Sequence, residues 1–252
     1  MQLKASMFLI ICPMLFLAGL VDSIGGGGGL ISLPAYILAG LPAHLAIGTN
    51  KMSAFPGTAL TTFRFAKNKM IDLKLALPSI VTAIIGSAIG ARIAMWLGES
   101  FIRYMMLIVL PIAALIVLNP KLFNEYGSNE FSHDRKTYLT VCISAFVIGI
   151  YDGLYGPGTG TFLIIAFTVF AGMNVTKANG QAKIINLTTN ITAFTIYLLN
   201  GRTVLPLGLA GALCGMLGNY VGSGMAMKNG SKLTRPVILI VLLILAVRIL
   251  TD

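Results

Sequence analysis

Long apolar stretches, separated by short polar breaks, run along most of the chain. They lie at about 5–21, 30–41, 45–65, 72–97 and 101–118, and then at about 137–151, 160–172, 178–199, 204–227 and 234–250. Many approach the roughly 20 residues that a helix needs to cross a hydrocarbon core about 30 Å thick. The sequence lacks the strict apolar and polar alternation that is typical of membrane barrel strands. The pattern predicts an all-α integral membrane protein.

The composition supports this prediction. Of 252 residues, 56% are hydrophobic and 10% are charged, whereas a soluble domain carries about 25% charged residues. A net charge of +10 would point to nucleic acid in a soluble protein. Here the basic residues lie mostly at the ends of apolar stretches, as membrane anchors do. We expect the lipid bilayer as a partner and no nucleic acid, and the length leaves no room for a separate soluble domain.

One long polar stretch divides the chain. Residues 119–136 hold three acidic and three basic side chains, and we predict that they form a linker. An N-terminal membrane repeat is then expected at 1–118 and a C-terminal membrane repeat at 137–252. Each repeat has about five helical segments, some of them short or broken.

The two halves match each other at charged positions. A shift of 132 residues aligns Lys51 with Lys183, and a shift of 130 aligns Asp22 with Asp152. Such matches are informative because charges are rare within these segments. Whether segments two and three both cross or form a re-entrant hairpin, each half crosses the membrane an odd number of times. We therefore predict two inverted repeats with a binding site between them.

The distribution of basic residues predicts the orientation. This threading places ten on one side and five on the other, and the positive-inside rule puts the larger group in the cytoplasm and both termini outside it. The larger group is Arg64, Lys67, Lys69, Lys74, Lys121, Arg135, Lys136, Lys228, Lys232 and Arg235, and the smaller is Lys4, Arg92, Arg103, Arg202 and Arg248.

Two acidic residues lie at membrane depth. Asp22 and Asp152 each stand between the first helix of a half and its glycine-rich turn. An ionisable group there is costly unless it is paired or hydrated, so both are candidates for proton coupling. The alternative is that each Asp caps the short helix that follows it.

The turns read SIGGGGGLISLP at 23–34 and GLYGPGTGTFLI at 153–164. Five consecutive glycines disfavour a membrane helix, since each costs about 1 kcal/mol relative to Ala. Short helices that begin at such turns can present backbone N–H groups to an anion. Close helix packing through small residues is the alternative. The candidate substrate-binding residues of the turns are Gly26, Gly27, Gly28, Gly156, Gly158 and Thr159.

The third segment of each half supplies polar side chains. The first half contributes Asn50, Lys51 and Ser53, and the second contributes Lys183, Asn186 and Asn190 on one helical face. Two lysines converging near the axis between the repeats would make a cavity suited to a small anion. Alternatively, the polar residues only bridge helices, or each Lys pairs with the Asp of its own half.

At these residues the sequence resembles the TauE/SafE family of sulfite exporters. The resemblance rests on GGGGGLISLPAYILAGLPAHLAIGTNK, on YDGLYGPGTGTFL and on residues 178–190, and it spans nearly the whole chain. It implies an inner-membrane permease that moves sulfite, sulfonates or related small organic anions, often outward, coupled to the proton gradient. Gln181 stands where a shorter residue is expected.

Other classes of protein find less support. His44 and His133 have no partner motif, and Cys12, Cys142 and Cys214 are embedded in apolar stretches. We therefore expect no catalytic residues, no metal site and no cofactor, and no nucleotide-binding motif is present. A cation or metal exporter, an intramembrane enzyme and an assembly protein are the alternatives. Homo-oligomerisation is left open.

Overall fold

The computed structural model describes residues 4–98, 100–101 and 133–229, and these residues form eight α-helices and no strand. The predicted segments 101–118 and 234–250, and most of the linker, lie outside the described residues. The helices are α1 (Ala5–Gly25), α2 (Gly29–Leu38), α3 (Ala43–Lys67), α4 (Leu73–Trp96), α5 (Arg135–Leu154), α6 (Thr159–Val169), α7 (Val175–Leu199) and α8 (Leu205–Asn229). The all-α class is confirmed.

Each described helix matches one predicted segment, and the differences lie at the helix ends. The first helix continues to Gly25, so Asp22 lies within its last turn rather than after it. The fifth begins at Arg135, inside the predicted linker, because the Asp134 side chain caps it by accepting a 2.8 Å hydrogen bond from the Thr137 amide.

Four helices have the length and apolar composition of membrane spans, namely α1, α4, α5 and α8. Their outer faces expose large apolar side chains, as lipid contact requires. Examples are Leu9, Leu17, Leu77, Val81, Ile143, Val147, Leu213 and Leu217. Both α2 and α6 are short. The 25 residues of α3 and of α7 would each extend about 37 Å, but both helices are polar.

The polar helices α3 and α7 pack against each other at the centre of the bundle, and the apolar helices surround them. The contacts are reciprocal between the halves. The first helix of each half packs on the fourth helix of the other, giving the pairs α1–α8 and α5–α4, and the third helix of each half also contacts the other half's fourth. The polar helix of each half is therefore packed partly against helices of the other half.

Glycines set the spacing of the two outer pairs. A Cβ atom on Gly218 of α8 would overlap the carbonyl oxygen of Phe16 in α1. The equivalent position in α4, Gly86, faces the carbonyl of Phe146 in α5 in the same way. The absence of side chains lets the backbones approach closely, as in other membrane helix pairs.

A matched hydrogen bond anchors each polar helix to the other half. The hydroxyl oxygen of Thr49 accepts a 3.0 Å bond from the Val204 amide, and Gln181 accepts a 3.2 Å bond from the Asp72 amide. A shift of 132 residues relates the two arrangements. Gln181 thus accepts the hydrogen bond that corresponds to the one accepted by the shorter Thr49. This bond gives the unexpectedly long side chain of Gln181 a structural role.

Polar contacts show the directions of the helices. Lys177, at the start of α7, donates a 2.7 Å hydrogen bond to the carbonyl of Lys69, just beyond the end of α3. At the opposite end, Gly48 near the start of α3 closely approaches the carbonyl of Arg202, just beyond α7. These two equivalent helices therefore run antiparallel.

We expect Gly86→Ala and Gly218→Ala each to destabilise the protein by about 2 kcal/mol or more, because the added methyl overlaps a backbone carbonyl. Ala is the better helix former by about 1 kcal/mol, so any loss must come from packing. Thermal unfolding of the purified protein in detergent would measure it. Gly98→Ala is the control, since its Cβ would meet no described atom within 4 Å. Equal stability of all three variants would contradict the proposed packing role.

Candidate functional site

The two glycine-rich turns meet in the interior. In the first, α1 ends at Gly25, and Gly26 adopts φ 77°, a left-handed conformation that favours glycine, while its N–H bonds the Asp22 carbonyl at 2.7 Å. A Cβ at Gly26 would overlap the backbone of Gly160, and the reverse also holds. Both chain breaks therefore contact each other directly, and this approach leaves no room for side chains.

Side chains of the second half satisfy the backbone carbonyls at the end of α1. The Thr161 hydroxyl donates to the Gly25 carbonyl at 2.7 Å, and the Asn179 amide donates to the Ile24 carbonyl at 2.9 Å. A helix end at membrane depth needs such partners because no bulk water is available. The broken helix is thus stabilised from across the interface between the halves.

Two ion pairs cross between the halves. The ammonium of Lys51 on α3 lies 2.7 Å from Asp152 Oδ1 on α5, and both side chains are 2% exposed. The ammonium of Lys183 on α7 lies 2.9 Å from Asp22 Oδ2 on α1, and it also contacts the Asp22 backbone carbonyl. Each buried lysine charge is therefore neutralised by a carboxylate of the opposite half.

This pairing decides two alternatives left open by the sequence. The hypothesis that each Lys pairs with the Asp of its own half is wrong. Neither aspartate is an N-cap residue either, because the N-cap positions of α2 and α6 are occupied by Gly28 and Gly158. Both carboxylates point instead to a lysine of the opposite half.

The two pairs differ in their surroundings. Asp152 Oδ1 also accepts a 2.6 Å hydrogen bond from the Thr159 hydroxyl, while the position equivalent to Thr159 in the first half is Gly29. The side chain of Asp22 is 14% exposed. Asp22 is thus the more accessible carboxylate, and Asp152 is the more firmly held.

A small cavity of about 40 Å³ lies where the turns and the ion pairs meet. Since a water molecule needs about 10–15 Å³, the cavity has room for a ligand of a few atoms. Lys51, Asp22 and Asp152 form part of its wall. Further polar side chains on the wall are Ser32, Ser53, Thr58, Asn50, Asn186 and Asn190.

The structure brings most of the predicted site residues to this wall, including Gly26, Gly28, Gly156 and Thr159. Gly27, Gly158 and Lys183 do not line the cavity. Lys183 has no exposed surface and contacts Asp22, which itself lines the cavity.

Asn219 is a wall residue that the sequence analysis missed. It accepts a 2.9 Å hydrogen bond from the Thr61 hydroxyl and donates to the Gly215 carbonyl at 3.0 Å. An amide within the otherwise apolar α8 is the signal that could have identified it. The side chain brings a fourth asparagine to the cavity.

The cavity combines balanced side-chain charges with the N-termini of two helices. The two lysines and two aspartates cancel in formal charge, while the first residues of α2 and α6 lie on the wall at Gly28, Gly29, Thr159 and Gly160. A helix N-terminus carries a partial positive charge and free N–H groups. These two N-termini add partial positive charge beside the cavity.

Buried polar residues at broken helices, set between two reciprocal halves, are typical of secondary transporters. The chain belongs to the sulfite exporter TauE/SafE family, which it matches over residues 11–249.

Named relatives agree with this assignment. A probable membrane transporter protein, ORF9, of Sinorhizobium sp. is 35% identical over 94% of this chain and 90% of its own length. The probable membrane transporter protein YfcA of Escherichia coli K12 is 33% identical over 94% and 87%, and a probable membrane transporter protein of Haemophilus influenzae is 30% identical over 94% and 92%. No solved structure shows a significant match. The protein is a membrane transporter and not an enzyme.

The deeper ion pair yields a test by paired substitution. Lys51→Met should lower stability by about 3–5 kcal/mol, because it leaves the Asp152 carboxylate buried and unpaired. Lys51→Met combined with Asp152→Asn should recover much of that loss, as thermal unfolding in detergent would show. The same cycle at Lys183 and Asp22 should give a smaller effect, since Asp22 is partly exposed. A double variant no more stable than the Lys51→Met protein would contradict the structural role of the pair.

Proposed function

We propose that this transporter is a proton-coupled permease that exports small anions such as sulfite, sulfonates or related organic anions. The observation that carries the proposal is the small cavity at which two helix N-termini and two ion pairs between the halves meet. The relation to sulfite exporters supports the substrate class. The cavity volume favours small ions over bulky solutes.

We propose that transport proceeds by alternating access between two inverted repeats. The antiparallel course of α3 and α7 and the reciprocal helix contacts support this arrangement. Each ion pair joins one half to the other, so any motion that separates the halves at the cavity must break or rearrange a pair. The free energy of pairing is therefore available to control the transition.

The aspartates are the proposed coupling groups. Protonation of Asp22 would leave the Lys183 ammonium without its counter-charge and make the cavity region more positive. An anion would then bind more tightly, and by linkage the anion would favour the protonated aspartate. Proton and anion would therefore cross in the same direction, and outward movement of the anion would be driven by the anion's own gradient. Asp22 is the first candidate because it is the more accessible of the two carboxylates, and Asp152 is the second.

We propose a multi-pass inner-membrane protein whose basic end faces the cytoplasm. The contact between Lys177 and Lys69, and that between Arg64 and Ser223 at 2.6 Å, place basic residues of both halves at the same end of the bundle. By the positive-inside rule this end is cytoplasmic, and both termini are then extracytoplasmic. The proposed partners are the bilayer and the transported anion.

Flux measurements in proteoliposomes test the proposal. The panel is sulfite, sulfonates, carboxylates and divalent cations, each measured with and without an imposed pH difference. We expect anion flux that responds to the pH difference and no flux of divalent cations. Cation flux without anion flux would show that the protein is a cation exporter instead.

If the aspartates carry the coupled proton, Asp22→Asn and Asp152→Asn should change the response of transport to a pH difference. A group that binds protons equally in all states cannot bias the cycle, so we expect these variants to lose anion accumulation driven by a pH difference. They should retain exchange of labelled anion at equal pH, because exchange needs no net proton movement.

Asp72→Asn is the matched control, since Asp72 caps α4 far from the cavity wall and should leave accumulation intact. Full gradient-driven accumulation by both cavity variants would remove the aspartates from the coupling mechanism.

A further inference from the structure

Two buried oxygen atoms of residues that line the cavity have no hydrogen-bond partner among the described residues. They are Asp152 Oδ2 and Asn50 Oδ1, and both residues line the cavity. Asp152 is 1% and Asn50 5% exposed. Other unpartnered atoms occur, for example at Thr62, but Thr62 does not line the cavity. These acceptors thus belong to residues of the site proposed for the substrate.

The other oxygen atom of the Asp152 carboxylate already accepts two hydrogen bonds. This atom, Oδ1, accepts from the Lys51 ammonium at 2.7 Å and from the Thr159 hydroxyl at 2.6 Å. An ionised carboxylate can accept about four hydrogen bonds and cannot donate any. A buried acceptor without a partner costs about 1–3 kcal/mol, so whatever fills the cavity is favoured if it supplies a donor here.

Building on the proposed function, we propose that the preferred substrate is a small monoanion that carries its own hydrogen-bond donor, an O–H or N–H group. The substrate donates to Asp152 Oδ2 and Asn50 Oδ1. Its negative charge is stabilised by the N-termini of α2 and α6, which begin on the same wall. One ligand thereby satisfies both the acceptors and the partial positive charge of the helix N-termini.

A bound metal cation is a poorer occupant of this position. The Lys51 ammonium lies 2.7 Å from the other oxygen of the same carboxylate, so it offsets much of the attraction that this carboxylate would exert on a cation at Oδ2. A hydroxyl group on the substrate depends less on that attraction, because it needs only a hydrogen-bond acceptor. Water can donate to the same atoms in the absence of substrate, but an anion that displaces this water without replacing its hydrogen bonds loses affinity.

Isosteric pairs of anions test the inference on the purified full-length protein. Glycolate and propionate differ only by a hydroxyl in place of a methyl group, as do hydroxymethanesulfonate and ethanesulfonate. We expect the hydroxylated member of each pair to bind about tenfold more tightly or better. Calorimetry at neutral pH and competition in proteoliposome uptake would both measure the ratio. Equal affinity within both pairs would overturn the inference.

Variants locate the source of the discrimination. Asn50→Leu removes one hydrogen-bond acceptor while keeping a side chain of similar size. It should reduce the ratio of affinities between the hydroxylated and the methyl-bearing anion several-fold. Thr62→Val removes a buried, unpartnered hydroxyl away from the wall and should leave the ratio at the wild-type value. An unchanged ratio in Asn50→Leu would remove Asn50 from the donor site.

The same experiment separates this inference from the proposed function. Binding and transport of both members of each pair with equal affinity would overturn the donor requirement while supporting anion transport. Failure of every anion in the panel to bind or move would overturn the proposed function, and the donor requirement with it.

Discussion

The interior of this protein depends on the cost of placing charge at membrane depth. A lone ammonium there is unfavourable by several kcal/mol, so each lysine needs a counter-charge. Each finds it on the opposite half, Lys51 with Asp152 and Lys183 with Asp22. The lysine-bearing helices α3 and α7 lie at the centre, and the apolar helices surround them, with α1 and α5 supplying the aspartates.

The broken helices solve a related problem. A continuous helix pairs its backbone donors internally, whereas α2 and α6 begin in the interior, beside the cavity. Breaking the chain also exposes carbonyl groups, which residues such as Thr161 and Asn179 satisfy from the other half. The glycines at the crossing permit this geometry because the two backbones, at Gly26 and Gly160, approach too closely for side chains. Packing and binding thus depend on the same residues.

The repeats have diverged at the site while keeping the same framework. Thr159 steadies Asp152, but its counterpart Gly29 offers no hydroxyl, and Asp22 is correspondingly more accessible. One carboxylate is therefore held in place by several partners, and the other is freer to respond to the contents of the cavity.

Local properties of the chain were sufficient to predict the membrane helices, the glycine turns and many wall residues, because hydropathy, rare charges and helix-breaking residues act within a short stretch. Asp22, Lys51, Asn186 and Thr159 were identified in this way. The tertiary structure alone decided the pairing of the charges, since a lysine on one helix could reach either aspartate and only the packing of the halves selects between them. It also placed Lys183 against Asp22 and Asn219 on the wall, because the face that a buried helix turns to a cavity is set by its neighbours.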